Sequence, residues 1–557
     1  MVVFNEAEGD KRLEFLRKRE EEELAQMLSK KYGVEYVDLS LVAVNSDALR
    51  IIPEAEAKSA EAAAFGKVNK RLSVAVRAPE STKVKELVQK LTEQGYEVVL
   101  FMCSQESLKR AYQRYADLSY ATETKAGVFE LSNEELEQLL EKVKGIEDIS
   151  KLITEAIELK KAYRITRIME VILAGGLSTG ASDIHFEPEE AQVRLRYRLD
   201  GVLVDVVNVD HETYRLMLSR LKLLSGLKLN LEGQAQDGRF SIKIKGDEIE
   251  LRTSLLPGNY ADTVVLRILN PKAIGVQLEE LGLEEKLRLK LEKEITKPNG
   301  MILTTGPTGS GKTTSLYAFL RKVNSPGSKV ITIEDPIEYH LQGIVQTQVE
   351  KGKYTFAEGL RSALRQDPDI IMVGEIRDGE VAEVAINAAL TGHLVFSTLH
   401  TNNAAGSFPR MIDLGVDEKV ISSAVNAALA QRLVRKLCQN CKVQRPATPE
   451  EKILVDKHLS TITDRALVPE KSDLVWDANP AGCQMCHGRG YKGRVGIFEA
   501  VFMDEAIETI LRSKPSEREI AAAAKPQGIP TMQEDGVMKV LRGITSLEEL
   551  KRVIDLD

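Results

Sequence analysis

The stretch that most constrains this chain is MILTTGPTGSGKTTSLYAFL, Met301 to Leu320. An apolar, β-forming run, Met301 to Thr305, leads into Gly306-Pro307-Thr308-Gly309-Ser310-Gly311-Lys312-Thr313, and a helical pattern follows directly. The pattern G-x-x-x-x-G-K-[ST] between a strand and a helix is the context in which consecutive backbone N–H groups turn toward phosphate oxygens. The positive end of the following helix adds to that attraction. Gly306, Pro307, Thr308, Gly309, Ser310, Gly311, Lys312, Thr313 and Thr314 are therefore the expected nucleotide contacts. The Lys312 ammonium reaches the β/γ-phosphates and the Thr313 hydroxyl ligates Mg²⁺. ATP and Mg²⁺ are the cofactors this predicts.

A metal-dependent phosphate site also needs a rigidly placed carboxylate. DPDIIMVGEIRD supplies one: Ile370 to Val373 has strand character and Glu375 follows, some sixty residues after the loop. VITIEDPIEYH offers a second apolar run ending in Glu334, Asp335 and Glu338. Both clusters are eligible to orient an attacking water. TGHLVFSTLH places His393 and His400 on either side of another β run, in a chain with 7 histidines, which favours a functional reading over a structural one.

At 557 residues the chain exceeds a single core, and two to four domains are expected. Its formal charge of -8 argues against a broad nucleic-acid or anionic-membrane surface. The N-terminus is charged from the start, and no run approaches the ~18 apolar residues of a membrane span. The expectation is a soluble, cytoplasmic protein without stable disulfides. Residues 1–115 read as a small α/β module for docking or regulation and 116–163 as a helical linker. Residues 164–282 read as a second α/β domain, with a hairpin at QDGRFSIKIKGDEIELRTSLLP turning at Gly246-Asp247. Residues 283–557 are the nucleotide-binding domain, entered through a hinge at Leu269 to Leu283.

LCQNC (Leu437 to Cys441) and GCQMCHGRG (Gly482 to Gly490) hold four of the 5 cysteines, and 41 residues separate Cys441 from Cys483. Each CxxC brings two sulfurs within reach of one ion, and two such pairs make the tetrahedral set of structural Zn²⁺. Cys438, Cys441, Cys483 and Cys486, in an insert at 437–487, are its expected ligands. Redox pairs and unmetallated thiols are the competing readings. Cys103 reads as a buried small hydrophobe.

Together, GPTGSGKTT, TIEDPIEYH, LRQDPDIIMVGEIRD and TGHLVFSTLHTN resemble the Walker A, Asp, Walker B and His boxes of the type II/IV secretion ATPases, in that family's order. ASDIHFEP, RYRLDG and QDGR resemble its preceding domain, and AQRLVRKLCQNC and GRVGIFEA its C-terminal part. The resemblance implies an α/β architecture in which a RecA-like P-loop NTPase domain follows a PAS-like domain and a small N-terminal domain, with a zinc-binding insert. It implies that Glu375 acts at the Mg²⁺ and the attacking water and that Glu338 is a second candidate for polarising that water. His400 would sense the γ-phosphate. Arginines of the preceding domain, with Arg194, Arg196, Arg198 and Arg239 as unranked candidates, would reach a neighbouring active site. The alternative for each is a solvated strand face. One departure stands out: NYADTVVLRIL has Ala261-Asp262 where the family carries Gly-Glu, which puts the reach of that carboxylate in doubt.

The resemblance further implies a homo-hexamer peripheral to the inner face of the cytoplasmic membrane, held there by an inner-membrane platform protein and a cytoplasmic docking protein. Its work would be ATP-driven assembly of a type IV pilus or a type II secretion pseudopilus. The long N-terminal region and the cysteine insert favour this extension and secretion branch. A retraction or DNA-transfer motor, or a nucleotide-gated scaffold without useful turnover, are the rival readings. No nucleic-acid partner is expected. LSKKYGVEYVDLS resembles an N-terminal module that in some relatives binds cyclic di-GMP through an arginine- and leucine-bearing repeat; that repeat is incomplete here, so the dinucleotide is a minor reading.

Overall fold

A computed structural model describes residues 21–115, 128–130, 139, 143, 145–244, 247–270 and 275–556, apart from positions 40, 41, 43, 46, 47, 50, 69, 160, 230, 232, 351 and 469–472. The chain divides into two compact units, Met1–Thr122 with Glu158–Arg167, and Glu123–Ile157 with Ile168–Asp557.

The first unit is built on strands β1 (Glu35–Tyr36), β2 (Ala62–Val68), β3 (Arg71–Val76) and β4 (Glu97–Met102), ordered β1-β4-β3-β2. Helix Thr82–Glu93 opens on Ser81, whose hydroxyl accepts the Val84 N–H, and its apolar stripe Val84, Leu87 and Leu91 is buried. This 3–4 spacing turns one helix face onto the sheet. Cys103 is buried in this core, as expected of a small hydrophobe.

The second unit holds two large sheets. The first contains β5 (Val128–Glu130), β6 (Asp183–Pro188), β7 (Val193–Leu199), β8 (Val202–Val209), β9 (Gln236–Ile244), β10 (Asp247–Leu256) and β11 (Thr263–Leu269), in the order β5-β9-β10-β11-β6-β7-β8. Part of the stretch expected as a linker is therefore structural. β5 pairs parallel with β9, and a Cβ at Gly175 would meet Ile149 Cδ1, of helix Ile146–Ile157, at 2.9 Å. The expected hairpin forms between β9 and β10, while its turn at 245–246 and part of the expected hinge, 271–274, lie outside the described residues.

Strict alternation gives this sheet one apolar face. Val193, Leu195, Tyr197 and Leu199 are buried, whereas Arg194, Arg196 and Arg198 stand on the opposite, polar side. Helices Lys161–Thr179 and His211–Leu224 meet the apolar face. Tyr197 donates its hydroxyl to Ile172 O at 2.6 Å, and the Phe186 and Tyr214 rings stack at 5.9 Å. Burying each such ring is worth about 1.5–3 kcal/mol.

The second large sheet contains β12 (Gly300–Thr305), β13 (Val330–Glu334), β14 (Val345–Gln348), β15 (Ile370–Val373), β16 (Leu394–Leu399), β17 (Val425–Leu437) and β20 (Tyr491–Phe502), ordered β14-β13-β15-β16-β12-β17-β20. β17 and β20 pair antiparallel; every other pairing is parallel. β12, β13, β15 and β16 are buried along their whole length. That pattern follows from cover on both faces. Leu287, Leu291, Leu316 and Phe319 pack with Ile302 on one side, and Phe356, Leu360, Ala385 and Phe408 with Met301 and Leu303 on the other. Between β17 and β20 the insert forms a ribbon, β18 (Val443–Pro446) with β19 (Leu474–Asp477), and helix Pro449–Thr461.

Candidate active site

Parallel order brings the carboxyl ends of β12, β13, β15 and β16 to one edge of the sheet, where open α/β sheets bind their ligands. The register makes this concrete. Thr305 lies opposite Leu399 and Val373 opposite Ser397, so the loops that begin at Gly306, Gly374 and His400 leave the sheet at nearly the same level.

The loop Gly306–Gly311 is a backbone cradle. Gly306, Gly309 and Gly311 have φ of 146°, 79° and 93°. A Cβ at Gly306 would sit 2.6 Å from Gln431 O and 2.7 Å from Ser310 Oγ. Glycine alone fits there. Helix Lys312–Val323 starts immediately, and Lys312 Nζ donates to Gly306 O at 2.7 Å and Pro307 O at 3.1 Å. Burial lowers the Lys312 pKa; the Glu375 carboxylate opposes this and Arg432 adds to it. Ser310 Oγ is buried and has no hydrogen-bond partner among the described residues. An orphaned hydroxyl inside a glycine cradle beside a lysine fits a phosphate group, and the exposed Thr313 and Thr314 follow at the helix N-terminus.

Glu375 and His400 come together. His400 Nε2 lies 3.3 Å from Glu375 Oε2, and Arg377 pairs with the other carboxylate oxygen. Thr398 Oγ1 donates to Gly374 O at 2.8 Å and fastens the two loops to each other. His393, by contrast, is at the far end of β16, with Nδ1 3.0 Å from Ala388 O. Only one of the two bracketing histidines is at the site.

The Asp-box acids divide their labour. Glu334 is buried and fully engaged, accepting from Tyr317 at 2.5 Å, Thr332 at 2.5 Å and Gln346 at 3.0 Å. Glu338 lies further along, where Oε2 accepts from Arg252 Nη1 at 3.0 Å.

The four arginines singled out by sequence are not gathered at this edge. Arg194 pairs with Asp205 at 2.6 Å, Arg196 with Glu187 at 2.5 Å and Arg198 with Asp183 at 3.3 Å, all carboxylates of their own sheet. Arg239 is exposed and stands directly across the ladder from Arg252, which in turn faces Arg267. Arg252, which does reach the loop after β13, lies in the quoted stretch IELRTSLLP but carries no local mark that sets it apart from the others. Asp262, at the departure from the family pattern, pairs with Lys222 at 2.8 Å, so its carboxylate is held within its own domain.

Gln431 and Arg432 were also not singled out. Buried Gln431 donates Nε2 to Ser310 O at 2.7 Å and accepts Ser315 Oγ at 2.7 Å, bracing the phosphate loop from β17.

The cysteines converge at the base of the insert. Sγ–Sγ separations are 3.7 Å for Cys438–Cys483, 3.7 Å for Cys441–Cys486 and 3.8 Å for Cys483–Cys486. Tetrahedral zinc with Zn–S bonds of about 2.3 Å sets its sulfurs about 3.8 Å apart, so the donor set fits. Cys483 N and Gly490 N donate to Cys486 Sγ at 3.1 and 3.2 Å. Gly482 is obligatory: φ is 57° and a Cβ would lie 2.2 Å from Gly488 C. Arg489, inside this knuckle, donates to Asp200 Oδ2 at 2.9 Å in the β7–β8 turn.

Residues 158–552 match the family model described as Type II/IV secretion system protein, and residues 32–122 match the MshEN domain. The chain is 44% identical over 390 residues, 70% of its own length and 75% of the relative's, to Type II secretion system protein E of Aeromonas hydrophila. It is 34% identical over 534 residues, 95% of its length and 91% of the relative's, to the type IV pilus assembly ATPase PilB of Myxococcus xanthus. Among solved structures, the pilus retraction motor PilT with bound ADP aligns over 68% of this chain and 95% of that one, at 27% identity and a TM-score of 0.46.

Proposed function

The chain belongs to the type II/IV secretion system protein family, and from that premise we propose that it is a Mg²⁺-dependent ATPase, working as a hexamer, that drives assembly of a type IV pilus or type II secretion pseudopilus fibre. The observation that carries this reading is the meeting of Lys312, Glu375 and His400 at the carboxyl edge of one parallel sheet.

Lys312 exchanges the carbonyls of Gly306 and Pro307 for β/γ-phosphate oxygens, so its donors remain satisfied throughout. Thr313 and Glu375 would hold Mg²⁺, which when bound neutralises charge on the phosphates. Glu375 and Glu338 are the two carboxylates available to orient water. Each has side-chain partners that aim it, Arg377 and His400 for the first and Arg252 for the second. His400, half exposed and 3.3 Å from Glu375, reads the γ-phosphate.

Arginines from the middle sheet complete the site. Arg252 acts through Glu338, and Arg239, level with it and exposed, has no ion pair among the described residues and would reach a neighbour; Arg194, Arg196 and Arg198 would first have to leave their carboxylates. A ring of subunits meets that need, because heterologous contacts close into rings. The middle domain (164–282) is PAS-like, the module at 1–115 docks to the machine, and Cys438, Cys441, Cys483 and Cys486 hold a structural Zn²⁺ in the insert. No described helix is long and apolar enough to cross a membrane, which accords with attachment to the inner membrane through platform and docking proteins. The MshEN match makes the front module the place to test for cyclic di-GMP.

Steady-state phosphate release decides the enzymatic reading. Lys312→Ala and Glu375→Ala should each lower turnover about 10²-fold or more. Wild-type turnover in both variants would sink it.

A further inference from the structure

The loop that follows His400 is held by more than its own chain. Thr401 N donates to Thr305 Oγ1 at 2.8 Å, and the two threonine hydroxyls are 2.7 Å apart. Arg432 Nη2 donates to Asn402 O at 3.2 Å. Ala404 N donates to Glu499 Oε1 at 2.8 Å, and Asn403 pairs with Glu517. Three of these anchors come from adjacent strands. Thr305 on β12 is opposite Ala430 on β17, and Ala430 is opposite Glu499 on β20. One row of the sheet therefore carries the last residue before the phosphate loop and the carboxylate that holds the histidine loop.

Arg432 touches both sides of this arrangement. Its Nη1 donates to Gln431 O at 3.3 Å and lies 3.1 Å from where a Cβ on Gly306 would be. The second oxygen of Glu499 accepts Met532 N at 3.1 Å, at the start of helix Met532–Leu541. Burial raises the Glu499 pKa, while its two backbone donors and Arg432 pull it down. Two backbone N–H donors and a nearby guanidinium satisfy this carboxylate, so it can tie Ala404 and Met532 to β20 from one side chain.

We propose that Arg432 and Glu499 are positioning residues for His400: they fix the 401–404 loop to the strand row that bears the phosphate loop, so that His400 and Lys312 hold a constant separation. The proposal rests on the reading of His400 as part of the hydrolytic group. A displacement of about 1 Å at a reacting centre can cost up to 10²-fold in rate.

The test uses the full-length chain. Arg432→Lys keeps the charge but cannot span both loops, and Glu499→Gln keeps one acceptor and turns an N–H₂ toward the other donor. Nucleotide affinity is read with a fluorescent ATP analogue, turnover by phosphate release, and folding by the thermal midpoint. Each variant should lower kcat about tenfold while affinity changes less than about twofold. Combined with His400→Ala, the two substitutions should produce little further loss, because the group they position is already gone. If the losses multiply fully in the His400→Ala background, the positioning role is wrong. If His400→Ala alone leaves turnover at the wild-type level, the hydrolytic reading of His400 has failed, and the proposal with it. Should Glu499→Gln not fold, Arg432→Lys and Thr401→Val carry the same comparison, and full multiplication there overturns the proposal equally.

Discussion

Arg252 Nη1 donates to Glu338 Oε2 at 3.0 Å and its Nη2 to Ile337 O at 2.5 Å. A residue of β10 in the middle sheet thereby holds the loop that follows β13 in the motor sheet. The pair is only about a quarter exposed on each side (24% and 29%), so it is neither a screened surface bridge nor a fully desolvated one. It makes the middle domain a direct partner of an Asp-box acid within one chain.

Arg252→Ala should lower turnover by about tenfold or more, and Glu338→Gln should add little in its presence. A double-mutant cycle on phosphate release measures this. Independent, fully multiplying effects would show that the two residues do not act as a unit.

Gly306→Ala tests the cradle. Its φ of 146° and the Gln431 carbonyl 2.6 Å from a new Cβ leave no room, so the loop has to move. Strain of about 1–3 kcal/mol placed on the bound conformation corresponds to roughly tenfold or more in affinity. Binding of a fluorescent ATP analogue should weaken by that factor while metal content stays unchanged.

Metal analysis should find one zinc per chain, lost in Cys438→Ser and Cys486→Ser. Gly482→Ala should lose it too, because the new Cβ would overlap Gly488. Stripping the metal with a chelator should lower the thermal midpoint by roughly 5–10 °C, since closing a long insert around an ion contributes folding energy directly. Unchanged stability after complete metal removal would refute a structural role.

Acid should loosen the insert before the motor sheet. The Arg445 guanidinium, bonded twice to Glu451 at 2.7 Å, holds that carboxyl down at about 2. A depressed pKa contributes stability that is present above about pH 4.5 and is lost as pH falls toward 2. Hydrogen-exchange protection over Pro449–Thr461, taken relative to the intrinsic rate at each pH, should therefore fall as pH drops from about 4.5 toward 2, and Arg445→Gln should remove most of that pH dependence.

Much of the site was legible because its signals are local. The phosphate loop is a backbone shape written by glycines at fixed spacing. Glu375 and His400 were found as polar residues following apolar runs, since the runs Ile370–Val373 and Leu394–Leu399 are buried on both faces and carry no ionisable group until the chain leaves the sheet. The cysteines announced themselves by number and spacing. The arginines could not be ranked the same way. Arg194, Arg196, Arg198, Arg239 and Arg252 all alternate with apolar residues on strands, and alternation reports which face a residue takes, not what stands opposite. Asp205, Glu187 and Asp183 engage the first three. Val128–Glu130 was missed as a strand because a three-residue β run has no period to detect.

By itself the sequence determined that this chain holds a phosphate loop, two carboxylate-ended strands, a histidine-ended strand and a four-thiol cluster, because each depends on residues near one another in the chain. The tertiary structure alone decided which of these meet. Parallel order and register put Lys312, Glu375 and His400 at one edge, gave Arg252 rather than Arg196 to the Asp box, and set Gln431, Arg432 and Glu499 behind the loops. Those choices arise from strand pairing between segments tens to hundreds of residues apart, where a one-residue shift of register would exchange every side chain for its neighbour on the other face.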